Sequence, residues 1–449
     1  MELRRRRRGQ WLVASQSSYA FAVSLCALWQ TENLPVLPPN LQSGSLEEIP
    51  EDLCGMLSDS SFPSGVLPVL SPTAFSHEAD PPARRPFGEP GCPAGREGIW
   101  KWRPLDSHRV SLRLYTSGST GDGKEVPKTL ANLEEELSVL EKTFGDRLGE
   151  CAILSTVSHQ HIYGLLFRLL WPLCAGRPFI SETPLLWEEL TRQTLPAVCL
   201  VSSPVHLSYA CVPGRDINPP PGCRVIFSSG APLGKNTAKD IRERWGLPVI
   251  EVFGSTETGG VGWRIQSGSR NSGLWTPLKG VTVSAFADEF SGNRLRVLSA
   301  FASASVVNGW CALGDSGKVF PDGRFQAAGR IDRIVKIAGK RLSLAEMEFR
   351  LNRQPWVNRA VLTPLKIYED SNRPSIGAVI LLSPKGKAQL QAHGRLAVSK
   401  KFRTELKKHF DAVTLPRYFR YVDFLPLDSQ GKIPQAALKD IFPDPVSRR

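Results

Sequence analysis

Apolar and polar positions change period several times along the 449-residue chain, and each change marks an element. From Asn132 onward, Leu133, Leu137, Leu140 and Phe144 recur at helical spacing, and a second helix is expected near Lys235–Trp245. Between and beyond them lie short apolar runs that read as strands: Ala197–Ser202, Val225–Ser229 and Val249–Phe253. Strands alternating with helices predict a layered α/β domain with a largely parallel sheet. After Thr258 the pattern shortens to hairpins, with Val281–Phe286 and Arg294–Leu298 flanking a turn at Ser291-Gly-Asn293. Beyond Arg330 a small α+β unit is expected. There Ser343-Leu-Ala-Glu346 is a capping-box start, Ser375–Leu382 a buried strand and Val398–Phe410 a basic helix. Upstream, residues 19–39 read as an apolar helix ended by the prolines of Leu34-Pro-Val-Leu-Pro-Pro39. Residues 76–98, rich in proline, read as a surface loop, and Val110–Tyr115 alternates like a strand. The predicted fold is therefore α/β: a large N-terminal domain of layered sheets (residues 1–330) with a β-hairpin subdomain, then a small α+β C-terminal domain (331–449).

Composition narrows the class. With 41% apolar residues the chain is globular, not disordered or fibrous. Its net charge of +13 is lodged entirely in residues 330–449, which hold 24 Lys and Arg against 11 Asp and Glu. Such a surplus fits an acidic partner: nucleic acid, a membrane surface, phosphate groups or an acidic protein. The nine cysteines form no C-x-x-C pair, which suits reduced core thiols in a cytoplasmic protein and argues against a zinc site or disulfide framework. Arg4–Arg8 followed by the apolar Tyr19–Trp29 looks like a secretion signal. However, polar Ser15-Gln-Ser-Ser18 divides the two parts and no small-residue cleavage site follows, so a buried helix is expected instead. No run reaches the length of about 20 apolar residues that a membrane-spanning helix needs.

The densest chemistry lies in Tyr115-Thr-Ser-Gly-Ser-Thr-Gly-Asp-Gly-Lys124. Glycines let backbone N–H groups approach phosphate oxygens, hydroxyls add donors and the lysine adds a point charge. G-x-x-x-x-G-K is satisfied, but Glu125 stands where a P-loop needs Ser or Thr to hold magnesium. Further segments follow in order: Ser228-Ser-Gly-Ala-Pro232, Phe253-Gly-Ser-Thr-Glu-Thr258, Gly314-Asp315, Gly329-Arg-Ile-Asp-Arg-Ile-Val-Lys-Ile-Ala-Gly-Lys-Arg341 and Gly431-Lys432. In that order and spacing they resemble the adenylate-forming superfamily, which includes acyl-CoA and aryl-CoA ligases, peptide-synthetase adenylation domains and luciferases. In texture the chain is most similar to stand-alone bacterial acyl-CoA synthetase-like ligases of aryl-polyene and fatty-acid-type clusters.

That resemblance implies ATP-dependent activation of an aryl or fatty acid to acyl-AMP, then transfer to a thiol of CoA or of an acyl carrier protein's phosphopantetheine arm. It implies that Thr116, Ser117, Gly118, Ser119, Thr120, Gly121 and Lys124 hold phosphates, and that Gly230, Ala231 and Pro232 lie along the adenine. Phe253, where the family usually has Tyr, Gly254 and Ser255 would complete the nucleotide site with Asp315 and Arg330 at the ribose. Thr256 would donate to the α-phosphate and Glu257 would hold Mg²⁺, a hard cation that needs oxygen ligands. Lys432 would bridge carboxylate and α-phosphate. Asp332 would be the hinge of a mobile C-terminal lid, with Gly339 and Arg341 in a thiol-side loop. His161, Gly164 and Ser229 would wall the acid pocket. For His159 and His161 a core or capping role stays open, and as a His-x-His metal pair they lack a nearby carboxylate or cysteine.

The sequence departs from the family at Gly123 and Glu125, where Pro and Gly are usual, which implies a more mobile phosphate loop. The stretch before the loop is also short for the family, implying either that part of the usual first subdomain is reduced or missing or that the start codon is misplaced. Basic residues of the lid, including Lys385, Lys387, Lys400, Lys401, Lys407 and Lys408, form an expected docking face for CoA phosphates or an acidic carrier, and would also suit the inner membrane face. The alternatives are a nucleotide- or acyl-binding pseudo-enzyme and a basic nucleic-acid module, the latter without any aromatic, zinc or helix-turn-helix signature.

Overall fold

The computed structural model describes residues 3, 6, 8–38, 49, 52–59, 68–72, 102–116, 124–184, 186–211, 217–266, 273–288, 292–303, 308–330, 333–337, 340–365, 375–427, 433 and 435–442. The Pro-rich stretch 76–98 lies outside them. The chain divides into two compact units. The first comprises Met1–Gly273, Pro277–Val281 and Leu298–Cys311, and the second Leu274–Thr276, Thr282–Val297 and Ala312–Arg449.

The first unit is built on two sheets with the same plan. Strands β1 (Gln10–Val13), β2 (Leu34–Leu37), β3 (Leu53–Leu57), β4 (Val69–Leu70), β5 (Ser111–Thr116) and β6 (Lys124–Thr129) are ordered β4-β3-β1-β2-β5-β6. All pairs are parallel except the last, the β5/β6 hairpin. In the second sheet β7 (Ala152–Ser155), β8 (Val198–Ser202), β9 (Cys223–Ser228) and β10 (Val249–Ser255) run parallel. Strand β11 (Gly259–Ile265) then returns antiparallel to β10, and the two-residue β12 (Thr276–Pro277) completes the order. Each parallel sheet thus ends in one antiparallel hairpin, and Lys124 and Glu257 belong to these two hairpins.

Helix α1 (Ser18–Gln30) opens with Ser17 as its cap and buries Ala20, Phe21, Leu25 and Leu28, so the apolar stretch that resembles a signal is core. It ends before the prolines: Thr31 Oγ1 donates back to the Ala27 and Leu28 carbonyls, and Leu34–Leu37 is the buried strand β2 rather than a helix stop. Helix α2 (Leu130–Leu148) starts in a capping box between Thr129 and Asn132 and buries the expected Leu133, Leu137, Leu140 and Phe144. Residues Ile162–Cys174 form one helical stretch with a π-helical middle, Leu165–Leu170. Its Phe167 and Trp171 pack with Phe144 of α2 around Phe227 of β9, at ring centroid distances of 5.1–5.9 Å to Phe227. Helix α3 spans Lys235–Trp245. Cysteines 151 and 199 are buried, and burial raises their thiol pKa values and that of Cys223, the last to about 12. Among the described residues no helix is long and apolar enough to cross a membrane.

In the second unit β13 (Thr282–Asp288), β14 (Gly292–Leu298), β15 (Cys311–Val319) and β16 (Phe325–Arg330) form a sheet in sequence order, with the expected hairpin strands as neighbours. A two-stranded ribbon, β17 (Ile334–Ile337) and β18 (Lys340–Ser343), leads into α4 (Leu344–Asn352). Strands β19 (Val357–Leu365), β20 (Ser375–Leu382) and β21 (Tyr418–Val422) make the last sheet. Met347 and Leu351 of α4 pack on this sheet with Phe402 and Leu406 of α5 (Pro384–Lys407). Helix α5 is two helical segments broken at Gly394, where φ is 76° and ψ 169°, and the second contains most of the expected basic helix.

Candidate functional site

The first hairpin carries the phosphate-loop residues on its stems. Thr116 and Lys124 are register partners at its tip, while Ser117, Gly118, Ser119, Thr120 and Gly121 lie outside the described residues. Glu125, the departure from the family pattern, is a structural clasp. It accepts from Tyr115 Oη at 2.9 Å and pairs with Arg113 at 3.2 Å across the hairpin. Burial, then the bond to Glu125, pushes the Tyr115 phenol up to about 12.

The second hairpin presents Glu257. Its turn is closed by reciprocal bonds: the Ser255 N–H donates to Thr258 Oγ1 at 3.1 Å and the Thr258 N–H to Ser255 Oγ at 3.2 Å. The carbonyl of Glu257 accepts from the Ser303 N–H at 2.7 Å, Ser303 Oγ at 3.0 Å and Lys128 Nζ at 3.3 Å. With the backbone so held, the Glu257 carboxylate projects toward the first hairpin, where Lys124 Nζ donates to Oε1 at 3.0 Å. Partial burial opposes its ionisation. Lys124, its own backbone and Ser255 outweigh that opposition and hold the carboxyl below its usual range.

Beneath the turn lie two buried charges that pattern reading missed, Lys128 on β6 and Glu136 on α2, at 1% and 2% exposure. Glu136 reads as a solvent-face residue within Leu133-Glu-Glu-Glu136, and only its bond from the Gly260 N–H, 2.6 Å long and 124 positions away in sequence, reveals its place. Burial raises the Glu136 pKa and lowers that of Lys128, each opposed by the attraction of the other.

Ser229 at the end of β9 donates to the Val252 carbonyl at 2.8 Å, leaving Gly230, Ala231 and Pro232 exposed beyond it. The next residue, Leu233, donates its N–H to Glu251, which is also bound through both oxygens by Arg264 at 2.8 and 2.9 Å. The 228–232 segment is thereby tied to the β10/β11 hairpin that bears half-buried Phe253 and exposed Gly254. Ser228 Oγ is buried without a hydrogen-bond partner at this edge. The carboxyl end of a parallel sheet is where such folds bind ligands.

His161 stands at the N-cap position of the helical stretch that begins at Ile162, without a side-chain capping bond. His159 is a core histidine: Nδ1 meets Ser18 Oγ at 3.0 Å, Nε2 meets the Ser15 carbonyl at 2.9 Å and the ring packs on Phe21 at 4.5 Å. Burial, then Arg168, depresses its pKa to about 4. Gly164 is buried where a Cβ would collide with the Ser158 carbonyl, which accounts for the missing side chain by local packing. In the second unit Asp315 and Arg330 are register partners on β15 and β16. Asp332, Gly339 and Lys432 lie outside the described residues, and Arg341 is placed as a backbone position on β18.

Among the described residues no three His, Cys, Asp or Glu side chains converge as a metal cage. A lone ionised carboxylate beside a phosphate loop suits magnesium, which is held by one or two protein oxygens plus the nucleotide's own phosphates. The donor set at Glu257 therefore fits.

A family model described as AMP-binding enzyme matches residues 72–286. Along its whole length the chain follows the fold of o-succinylbenzoate CoA synthetase from Bacillus subtilis solved with its acyl-adenylate, with a TM-score of 0.72 and 19% identity over 97% of this chain and 89% of that one. The chain's fold is that of the Bacillus CoA synthetase, and its residues 72–286 match the AMP-binding enzyme model. Its similarity extends to an ATP-bound RpMatB–BxBclM chimera, with a TM-score of 0.76 and 17% identity over 98% of this chain and 90% of that one. The Bacillus enzyme has also been solved with ATP and magnesium. In sequence, the chain is 27% identical over 349 residues to a 4-coumarate–CoA ligase of Cereibacter sphaeroides, covering 75% of each chain.

Proposed function

We propose that the protein is an AMP-forming acid–thiol ligase: it joins a carboxylic acid to the α-phosphate of ATP, releases pyrophosphate, and passes the acyl group to a thiol. The observation that carries this reading is the meeting of Lys124 and Glu257, one from each hairpin tip, with the Glu257 backbone fixed by Ser303 and Lys128. Attack of a carboxylate on an anionic phosphate needs charge neutralised at fixed positions before the reaction begins. Lys124 is exposed enough to exchange its ion pair for phosphate oxygens, and Glu257 stays ionised as a hard ligand. Magnesium, when bound, screens the phosphates and draws charge from the departing pyrophosphate. Thr256, in the same turn, would donate to the α-phosphate. Asp315 and Arg330, adjacent across β15 and β16, would take the ribose, and Lys432 would bridge acid and phosphate.

The acid is an aryl or fatty acid and the acceptor is CoA or a carrier protein. Similarity to a 4-coumarate–CoA ligase and to an o-succinylbenzoate CoA synthetase supports an acid activated for CoA. Basic groups of α5 support an anionic acceptor, although Lys387 already pairs with Asp423 and Lys401 and Lys408 with Glu405. The proposed lid would turn about Asp332 and bring Gly339 and Arg341 to the thiol side.

The test is pyrophosphate release with hydroxybenzoic, hydroxycinnamic and medium-chain fatty acids, comparing CoA with an acyl carrier protein as acceptor. At least one acid is expected to release pyrophosphate, and Lys432→Ala to slow that release by about 10²-fold or more while sparing thioester formation from preformed acyl-AMP. Silence with every acid, together with tight binding to DNA or RNA, would replace this reading.

A further inference from the structure

We propose that Lys128 and Glu136 are positioning residues for the nucleotide reaction, a pair of opposite charges buried beneath the Thr256–Thr258 turn and the start of β11 that fixes where Glu257 meets the metal-bearing phosphates. The inference rests on the functional reading above but concerns residues that reading does not use.

A buried amine and a buried carboxylate are costly, and an apolar pair of similar volume usually stabilises a core as well or better. Retaining both charges beneath one turn therefore points to geometry rather than stability. The two hold the backbone at two points, the middle of the turn and the start of β11 just after it. Lys128 Nζ donates to the carbonyl of Glu257 and to that of Phe301, while Glu136 Oε1 accepts from the N–H of Gly260. Glu136 Oε2 has no hydrogen-bond partner and lies under Gly259, where a Cβ would stand 2.5 Å from it and where φ is +66°. Only glycine allows that approach. The segment that supplies Ser303 is tied to the same helix, because Asn132 Nδ2 donates to the Ala300 carbonyl at 2.8 Å. Helix α2 and strand β6 thus clamp the turn from below through its backbone, and the Glu257 carboxylate is left above to face ligands. A change at Lys128 would move Glu257 without touching any ligand itself.

The decisive measurement is nucleotide affinity without turnover, by calorimetry with a non-hydrolysable ATP analogue, in magnesium and in EDTA. Lys128→Met and Glu136→Gln are expected to weaken binding about 10-fold in magnesium and less than about 2-fold in EDTA, a gap of about 1 kcal/mol. In turnover they should raise the KM for Mg·ATP while leaving the KM for the acid within about 2-fold. Wild-type affinity in both variants, or equal weakening with and without magnesium, overturns the proposal and leaves the pair a purely structural feature. Should Lys128→Met fail to fold, Ser303→Ala carries the test, since it removes one donor to the same Glu257 carbonyl and is expected to show a smaller change of the same pattern. The two ideas fail separately: an inactive wild type with every acid sinks the ligase reading, whereas an active wild type with unaffected variants sinks this one.

Discussion

Charge is handled in opposite ways by the β10/β11 hairpin and by helix α5. In the hairpin Glu251 is 3% exposed and locked by Arg264, Gln266 and a backbone N–H, so the charges are internal parts of the scaffold. On α5 the basic residues stand in solvent, and their ion pairs, such as Lys387 with Asp423, are exposed on both sides. The same residue types therefore shape a rigid edge in one place and an electrostatic surface in the other. Buried pairs fix geometry because each partner is intolerable alone, while exposed pairs can be exchanged for a visitor's charge at little loss.

The contrast is broken most severely at Arg264. Arg264→Met should leave Glu251 buried without its cation and cost about 3–5 kcal/mol in urea unfolding; a loss below about 1 kcal/mol would place Glu251 with the surface charges. A second, smaller effect is expected at His159, which is buried and neutral. Its folded pKa of about 4 lies below its ordinary 6.5, so the unfolded chain takes up the proton first as pH falls. The stability is fully present above pH 6.5 and is lost toward pH 4, by about 3 kcal/mol at 1.36 kcal/mol per pH unit. In His159→Gln the unfolding free energy should vary less between pH 6.5 and 5 than in the wild type, and parallel profiles would refute the assignment. Smallest of all, Lys387→Ala should leave the melting temperature unchanged within error while slowing association with an anionic acceptor at low salt, an effect that vanishes as salt rises.

Elements with an unbroken local period were legible from sequence alone. The 3.6-residue repeat of α2 and the apolar run of β20 fall where the pattern puts them, because both bury one continuous face. The first parallel sheet was not legible. Its strands are four or five residues long where they meet, and Pro35 sits inside one of them, so the run Leu34–Leu37 reads as a stop signal. In the candidate site, Lys124 and Glu257 were found through the family resemblance of their motifs, and the structure brings them to 3.0 Å. Lys128, Glu136 and the Glu251–Arg264 pair were missed because charged letters in a periodic segment read as solvent-facing. Their burial depends on partners far along the chain, to which local pattern is blind.

The raised thiol pKa values of the first unit have a chemical consequence. An acyl-adenylate is an electrophile made inside a protein that contains its own sulfur nucleophiles, and only the thiolate form attacks. With Cys223 near 12, its thiolate fraction at pH 7 is on the order of 10⁻⁵. Cys151 and Cys199 are likewise buried with raised values. With Cys199 and Cys223 packed within strands of the second sheet and Cys151 buried just before β7, these three sulfurs are poor competitors for an acyl-adenylate against a thiol that arrives from outside.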